Sequence, residues 1–240
     1  MPQRIAIVTH VFDSGGPAAV AALAAEGYLT LAHARTFVDS GARAAFEACG
    51  PNRVASTAQS PTELAREAIS RFGRIDVAIS NDFAEIHQGP FTDRTVEHYR
   101  ALLEAFTVDA FCLAAAVVPT MKTQGGGRIL FMTSAAALRP SPALVLYASA
   151  RAATNQMTRS LAAELAPAGI SVNAIAPALM LSSFFAGGEH DPNLARLADE
   201  LIPMKRFGRP EELAALIGLL VSGKADYISG QIIAFSGALV

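Results

Sequence analysis

A tyrosine and an arginine stand four residues apart in the segment LYASARAATNQ, residues 146–156. Its composition predicts a helix, and residues i and i+4 of a helix share one face, about 6 Å apart at Cβ. A guanidinium stays protonated at any physiological pH, so it stabilises a nearby phenolate. Tyr147 beside Arg151 is therefore a candidate general base for a substrate hydroxyl. The same spacing also occurs on ordinary surface helices, so the pair alone does not establish this chemistry.

Ser134 adds a third polar group to the pair. It ends the apolar segment RILFMTS, thirteen residues before Tyr147. An apolar segment of this kind predicts a strand, and open α/β sheets bind ligands beyond the carboxyl ends of their strands. We therefore expect Ser134 at the carboxyl end of its strand, where ligands bind.

The elements that must position these residues alternate along the whole chain. Seven short segments are predicted as strands, and helical segments that begin near a proline and end at a glycine lie between them. This alternation predicts an α/β fold, a single domain over 1–240 with one doubly wound parallel sheet of about seven strands and helices on both faces. The predicted strands are 4–10, 28–33, 53–56, 75–81, 128–134, 170–176 and 231–237.

One segment, 178–205, lies between the sixth strand and the last helix and is interpreted as an insertion at the substrate site. An excursion beyond the carboxyl end of a strand is a usual place for a substrate pocket. A plain packed excursion with one short helix at 192–201 is the alternative.

Composition excludes several classes of function. The chain has 240 residues, 52% of them hydrophobic, and a formal net charge of −2, so neither nucleic acid nor an anionic membrane is an expected partner. Cys49 and Cys112 have no metal-ligand or disulfide spacing, and no metal is expected. The most apolar stretch, 105–121, is short for a membrane span. The N-terminus lacks the pattern of a signal peptide, which favours a cytoplasmic protein.

The order of these features resembles the short-chain dehydrogenase/reductase superfamily over essentially the whole chain. The resemblance rests on Gly-Arg before the fifth strand, Ser134, Tyr147, the motif VNAIAP and the closing RFGRPEELAALIGLLVS and YISGQIIAFSG. It implies a Rossmann-like fold of the short-chain dehydrogenase type and an acid–base centre at Ser134 and Tyr147.

The sequence departs from the nicotinamide-dependent members of that superfamily in four places. Their T-G-x-x-x-G-x-G loop reads THVFDSGG, with His10 and Ser14 in place of the first two glycines. The lysine expected after the tyrosine is Arg151, the helical asparagine of the proton relay is Phe106, and Asn-Ala-Gly reads SNDF at 80–83. Side chains in the glycine-rich loop would crowd a pyrophosphate, so no cofactor is expected.

The combination is similar to the halohydrin dehalogenases, relatives of the short-chain dehydrogenases with a Ser-Tyr-Arg triad and no nucleotide. The matching motifs are VTH, GGPAAVAAL, SNDF, Ser134 and LYASARAAT. The resemblance implies a carbon–halide lyase that closes vicinal haloalcohols to epoxides and releases halide. It also implies reverse opening of epoxides by small anions such as azide, cyanide and nitrite. Ser134, Tyr147 and Arg151 are then the catalytic residues, and Asp82 of SNDF is expected to make a structural contact.

The resemblance further implies a halide site and a substrate pocket. The halide is expected against backbone N–H groups after the sixth strand and an apolar wall, formed by Phe12, Pro177, Leu179 and Met180. The substrate pocket is expected to include Ser14, Phe83, Phe184 and Phe185. Ser14 departs from the family, which usually has an aromatic residue there. A hydrophobic contact that anchors the insertion is the alternative role for Phe184 and Phe185.

Helices rich in small apolar residues predict association of several copies, since they would otherwise leave a large apolar patch exposed. The superfamily's tetramers imply a homotetramer, a dimer of dimers. Two other functions remain open from the sequence. One is an NAD(P)-dependent short-chain oxidoreductase with degenerate cofactor motifs, and the other is a non-catalytic binding or structural relative.

Overall fold

The computed structural model describes residues 2–181 and 192–240. It contains one parallel seven-stranded sheet in the order β3-β2-β1-β4-β5-β6-β7. All seven predicted strands are confirmed; five are shorter than predicted, while β5 begins one residue earlier and β6 ends one residue later. They are β1 Ile5–Val8, β2 Leu29–Ala32, β3 Arg53–Ala55, β4 Val77–Ser80, β5 Gly127–Met132, β6 Ile170–Pro177 and β7 Ile232–Phe235.

Eight α-helices among the described residues connect and cover these strands. Proline and glycine lie at the helix ends where the sequence predicts them. For example, Ser60 caps the helix that begins at Pro61, and Gly73 ends it in the left-handed conformation. The helices are α1 Gly16–Ala25, α2 Ser40–Ala48, α3 Pro61–Phe72, α4 Val96–Leu103, α5 Asp109–Gln124, α6 Val145–Leu165, α7 Pro192–Leu201 and α8 Pro210–Val221. The helix at 192–201, which belongs to the alternative interpretation of the 178–205 segment, is α7.

The sheet is apolar on both sides because helices cover both faces. One core cluster joins alternate residues of β1 and β4 to α1 and α8, and includes Val8, Ile79, Leu213 and Ile217. The other cluster lies on the opposite face against α3, α5 and α6, and includes Ile7. The first three strands extend the sheet to one side of β1 and the later strands extend it to the other side, beginning with β4. The strand order therefore reverses between β1 and β4, and a crevice opens beyond their carboxyl ends.

The turn from β1 into α1 depends on the close approach of Gly16 to the preceding backbone. A Cβ at this position would lie 2.6 Å from the carbonyl carbon and oxygen of Val11 and 2.7 Å from the His10 carbonyl oxygen. Backbone atoms cannot move aside as the end of a side chain can. The loop therefore requires glycine at position 16.

We expect Gly16→Ala to lower the free energy of unfolding by about 3 kcal/mol, because the new methyl group forces the loop apart. Urea unfolding monitored by circular dichroism measures this change. Gly218→Ala is the matched control: Gly218 lies inside α8, and a Cβ added there would meet no described atom within 4 Å, so alanine should stabilise the helix by roughly 0.5–1 kcal/mol. Equal effects of the two substitutions would contradict the steric argument.

The helical stretch Val96–Gln124 is long and apolar enough, by length and composition alone, to cross a membrane. Its inner face packs in the core through residues such as Leu113 and Val117, which are fully buried. Only 28% of its most apolar window is buried inside the chain, and the Phe111 side chain is 58% exposed. One face of this stretch therefore presents an apolar surface that the described part of the chain does not cover.

Candidate active site

A cavity of about 540 Å³ opens beyond the carboxyl ends of the central strands. Its lining includes all three predicted catalytic residues, Ser134, Tyr147 and Arg151, together with Pro177 and Leu179. Ser14, a predicted pocket residue, also lines it. Residues separated by more than 160 positions in the chain therefore meet in one cavity, as the sequence analysis predicts.

Ser134 lies two residues after the end of β5 and caps a short 3₁₀ turn, Ala135–Ala137. Its backbone is extended, and its Oγ accepts a hydrogen bond of 3.1 Å from the Ala136 N–H. A serine hydroxyl has one donor and two acceptor positions. This contact uses one acceptor position and fixes the rotamer, so the hydroxyl proton remains available to a substrate oxygen.

Tyr147 and Arg151 lie on one face of α6, as their spacing predicts. The buried Arg151 guanidinium donates from Nη1 to the Met132 carbonyl at 2.9 Å and from Nη2 to the Asp82 carbonyl at 3.1 Å. These contacts tie α6 to the ends of β4 and β5. The guanidinium carbon lies 5.5 Å from the centre of the Tyr147 ring, which places a fixed positive charge beside the phenol.

Asp82 makes the structural contact that the SNDF motif suggests, through its backbone carbonyl. Its buried carboxyl group accepts hydrogen bonds from Ser80 Oγ at 2.5 Å and Thr9 Oγ1 at 3.2 Å. Burial raises the pKa of Asp82 to about 6, although the Ser80 hydrogen bond and the Arg151 charge act in the opposite direction. This carboxyl group belongs to the residue whose carbonyl accepts from the Arg151 guanidinium, two residues after the end of β4.

Because the pKa of Asp82 is raised on folding, its carboxyl group is protonated in the folded state and ionised in the unfolded chain between about pH 4 and pH 6. Stability linked to this group is therefore fully present below the unfolded pKa and is lost as pH rises through the folded pKa. We expect Asp82→Asn to gain roughly 3 kcal/mol relative to wild type between pH 4 and pH 7. Urea unfolding of both proteins across this range measures the difference. Parallel stability curves would show that Asp82 does not carry the effect.

The loop between β1 and α1 keeps a glycine-like backbone at two positions where the glycines of the motif are replaced. His10 and Ser14 have φ angles of 47° and 45°, in the left-handed region that favours glycine. The Asn81 side-chain amide holds this shape, donating at 2.8 Å to the carbonyls of His10 and Asp13. The His10 ring packs edge-on against His33 at 4.8 Å. Burial, with further contributions from His33 and Arg35, lowers the pKa of His10 to about 4, so this imidazole is neutral at pH 7.

The residues of this loop do not fit the nicotinamide dinucleotide of the short-chain dehydrogenases. A pyrophosphate needs close approach to backbone N–H groups, which glycines allow. Here His10 and Ser14 put side chains at the first two glycine positions. Arg35 is also engaged, with Nη2 3.7 Å from Asp13 and its guanidinium carbon 4.6 Å from the Phe83 ring centre. The loop therefore does not provide the pyrophosphate site that a dinucleotide needs.

The segment after β6 contains two adjacent N–H groups for which residues 2–181 and 192–240 offer no acceptor. The N–H groups of Ala178 and Leu181 each donate to a backbone carbonyl at 2.9 Å. Those of Leu179 and Met180 have no acceptor among the residues that the structure describes. Unpaired neighbouring N–H groups form a concavity that suits an anion. The resemblance had implied a halide site from the amides of these two residues.

Several predicted wall residues lie away from the cavity lining. The Phe12 side chain is 43% exposed, and its ring packs against Phe37 at 5.4 Å and Phe46 at 6.0 Å. These rings lie beyond β2, so this part of the structure draws Phe12 away from the lining. Phe83 lies beneath the Arg35 guanidinium instead.

The Met180 side chain is buried in the core beside α8, and Met180 is not among the residues that line the cavity. Phe184 and Phe185 lie outside the described residues, and their predicted roles stay predictions.

Two features of the site could not be predicted from the sequence pattern. The Phe106 ring, noted only as a departure from the relay asparagine, contacts both Tyr147 and Arg151. A second cavity of about 190 Å³ shares Leu144 and Tyr147 with the first and includes Arg94 in its lining. The loop and helix that bring these residues to Tyr147 are distant in the chain, so local patterns do not predict them.

Comparison with known proteins gives two kinds of similarity. A family model described as enoyl-(acyl carrier protein) reductase matches residues 18–238. The dehydrogenase/reductase SDR family member 4 of Homo sapiens is 32% identical over 180 residues, 75% of this chain and 65% of that protein. This chain thus covers less than two thirds of that relative's length.

Two solved structures are also similar along nearly the whole chain. A halohydrin dehalogenase bound to ethyl (2S)-oxiran-2-ylacetate is 33% identical, with a TM-score of 0.92 over 97% of this chain and 96% of that chain. A protein described as a dehalogenation enzyme is 31% identical, with a TM-score of 0.90 over 100% of this chain and 99% of that chain.

Proposed function

Because the chain belongs to the short-chain dehydrogenase/reductase family, we propose that it uses the family's serine and tyrosine for a reaction without hydride transfer. The proposed reaction is cofactor-independent closure of vicinal haloalcohols to epoxides with release of halide. The observation that carries this proposal is the buried Arg151 guanidinium, fixed beside Tyr147 in the cavity that Ser134 lines. The similarity to two dehalogenase structures supports the same function.

In the proposed mechanism the Ser134 hydroxyl donates a hydrogen bond to the substrate oxygen. The Tyr147 phenolate, stabilised by Arg151, removes the proton from that oxygen. The oxygen then forms a bond to the neighbouring carbon while the carbon–halogen bond breaks and the halide leaves with its electron pair. Attack within one molecule gains from orientation, because the cavity selects the conformer with oxygen opposite to halogen.

The departing halide needs stabilisation where its charge develops. We assign this role to the N–H groups of Leu179 and Met180, which have no acceptor among the described residues. Pro177 and Leu179 supply apolar surface in the same cavity. Reversal of the steps opens an epoxide: a small anion such as azide, cyanide or nitrite attacks carbon, and Tyr147 returns the proton to oxygen.

We further propose that the protein acts as a cytoplasmic homotetramer. The uncovered apolar face of Val96–Gln124, which includes Phe111, supports association. Contact between copies would bury this face without requiring a membrane.

The test of the proposed function is bromide release from 1-bromo-2-propanol, measured with and without added NADH or NADPH. We expect release at the same rate in both conditions, with one epoxide formed for each bromide. If bromide is released only when NADH or NADPH is added, the proposed function is wrong.

The alternative is an NAD(P)-dependent oxidoreductase, which the name of the human relative favours. It requires saturable binding of the dinucleotide, which isothermal calorimetry measures. Binding of NAD(H) or NADP(H) in the micromolar range would support this alternative and contradict the misfit of the His10 and Ser14 loop.

A further inference from the structure

Phe106 lies in a π-helical turn, Glu104–Val108, that joins α4 to α5. Two hydrogen bonds fasten this turn to α6. Thr154 Oγ1 donates to the Phe106 carbonyl at 2.7 Å, and Thr107 Oγ1 donates to the Ala150 carbonyl at 3.0 Å. A π turn displaces its carbonyls from the regular helical ladder and often occurs at functional sites. Here the freed carbonyl and the neighbouring hydroxyl fix the turn against the helix that bears Tyr147.

The Phe106 ring is 1% exposed and makes contacts with two proposed catalytic residues. The Arg151 guanidinium carbon lies 3.8 Å from the ring centre. The Tyr147 ring lies 5.3 Å away at 77°, in an edge-to-face arrangement. Both geometries are favourable ones for an aromatic ring, whose face attracts a cation and whose edge pairs with another ring.

The hydrogen bonds of Arg151 hold the guanidinium at its edge but do not support its face. Nη1 and Nη2 donate to the carbonyls of Met132 and Asp82, which fix the plane of the guanidinium from its edge. Nε is buried and has no acceptor among the described residues. The Phe106 ring contacts the face of the guanidinium, whose Nε side has no hydrogen bond to the described residues. The ring therefore opposes tilting of the guanidinium away from Tyr147.

We propose that Phe106 is a positioning residue that holds the Arg151 guanidinium at Tyr147 through its ring face. The inference rests on the proposed function for its kinetic consequence, but the placement itself is a property of the folded protein. At this place the sequence has an aromatic ring instead of a proton-relaying amide. The ring fills the space beneath Tyr147 and Arg151 with apolar surface, so proton transfer takes place on the cavity side of Tyr147.

The kinetic test replaces Phe106 by 4-fluoro-, 3,5-difluoro- and 3,4,5-trifluorophenylalanine in the full-length protein. Fluorine withdraws electron density from the ring face with little change of shape, so it weakens attraction of the cation. With 1-bromo-2-propanol we expect kcat to fall stepwise, by about tenfold in total, while KM changes by less than about twofold. A kcat independent of fluorine content would overturn the inference.

Leu102→Ala is the matched control, because Leu102 packs in the same small cluster as Phe106 without contacting Arg151 through a ring. We expect this variant to lose stability and to retain kcat within about twofold. A loss of kcat in Leu102→Ala equal to that of the trifluorophenylalanine variant would show that Phe106 acts only through packing and would overturn the inference.

A nuclear magnetic resonance experiment separates this inference from the proposed function. The ring current of Phe106 shifts the Arg151 Nε–H proton resonance upfield, and its disappearance in Arg151→Lys assigns it. In Phe106→Leu we expect this resonance to move downfield, whether or not the protein releases halide. An unchanged resonance shows that the ring does not cover the guanidinium. If wild type releases no bromide, the proposed function fails and this shift alone decides the placement of Phe106.

Discussion

Tyr147→Phe is expected to lower the rate of halide release from 1-bromo-2-propanol by about 10³-fold. The substitution removes the only group of the Ser134, Tyr147 and Arg151 triad that can accept the substrate proton. Loss of a positioned general base typically reduces a rate by ~10²–10⁴-fold. Bromide release under saturating substrate measures the effect, and the fold is retained because the phenyl ring still packs against Phe106.

Tyr227→Phe is the control for this substitution, since Tyr227 is fully exposed at the far end of the chain. It should leave both rate and stability unchanged. Retention of more than a tenth of wild-type activity in Tyr147→Phe would show that another group takes the proton, and the assignment of Tyr147 as base would be wrong.

Arg151→Met is expected to reduce the same rate by about 10²-fold, in line with the loss of one preorganised electrostatic group. Methionine keeps an apolar chain of similar length and removes the charge beside Tyr147. It also leaves the carbonyls of Met132 and Asp82 without their buried donor, which destabilises the fold by roughly 1–3 kcal/mol. Bromide release and urea unfolding together separate the two effects.

Arg151→Lys distinguishes charge from geometry at this position. Lysine keeps the charge, but an ammonium cannot reproduce the planar fork that reaches two carbonyls at once. We expect an intermediate rate, higher than that of Arg151→Met. Arg159→Met, on the exposed side of the same helix, should have no effect. Equal rates for wild type and Arg151→Met would remove Arg151 from the mechanism.

The sheet could be predicted from the sequence because each strand is a short apolar run bounded by turn residues. A strand covered on both faces, such as β4 at Val77–Ser80, has no alternative place in a folded chain. Ser134, Tyr147 and Arg151 could be predicted for a similar reason. One follows a strand end and the others share a helix face, and both placements are local.

The wall of the cavity could not be predicted in the same way. Phe106 reaches Arg151 only because a π turn and two threonine hydroxyls set the angle between helices distant in sequence. Phe12 packs with Phe37 and Phe46, which come from the connection after β2. An aromatic ring can pack about equally well against several kinds of side chain. Which partner it contacts therefore depends on the assembled fold and not on its neighbours in the sequence.

The left-handed backbone at His10 and Ser14 restricts how this catalyst can be redesigned. Ser14 borders the cavity, so it is an obvious position at which to vary substrate preference. A φ of 45° there admits glycine, asparagine and aspartate more readily than other residues, and it disfavours valine, isoleucine and threonine. In a combinatorial library at positions 10 and 14, we therefore expect that only a few amino acid types give folded variants.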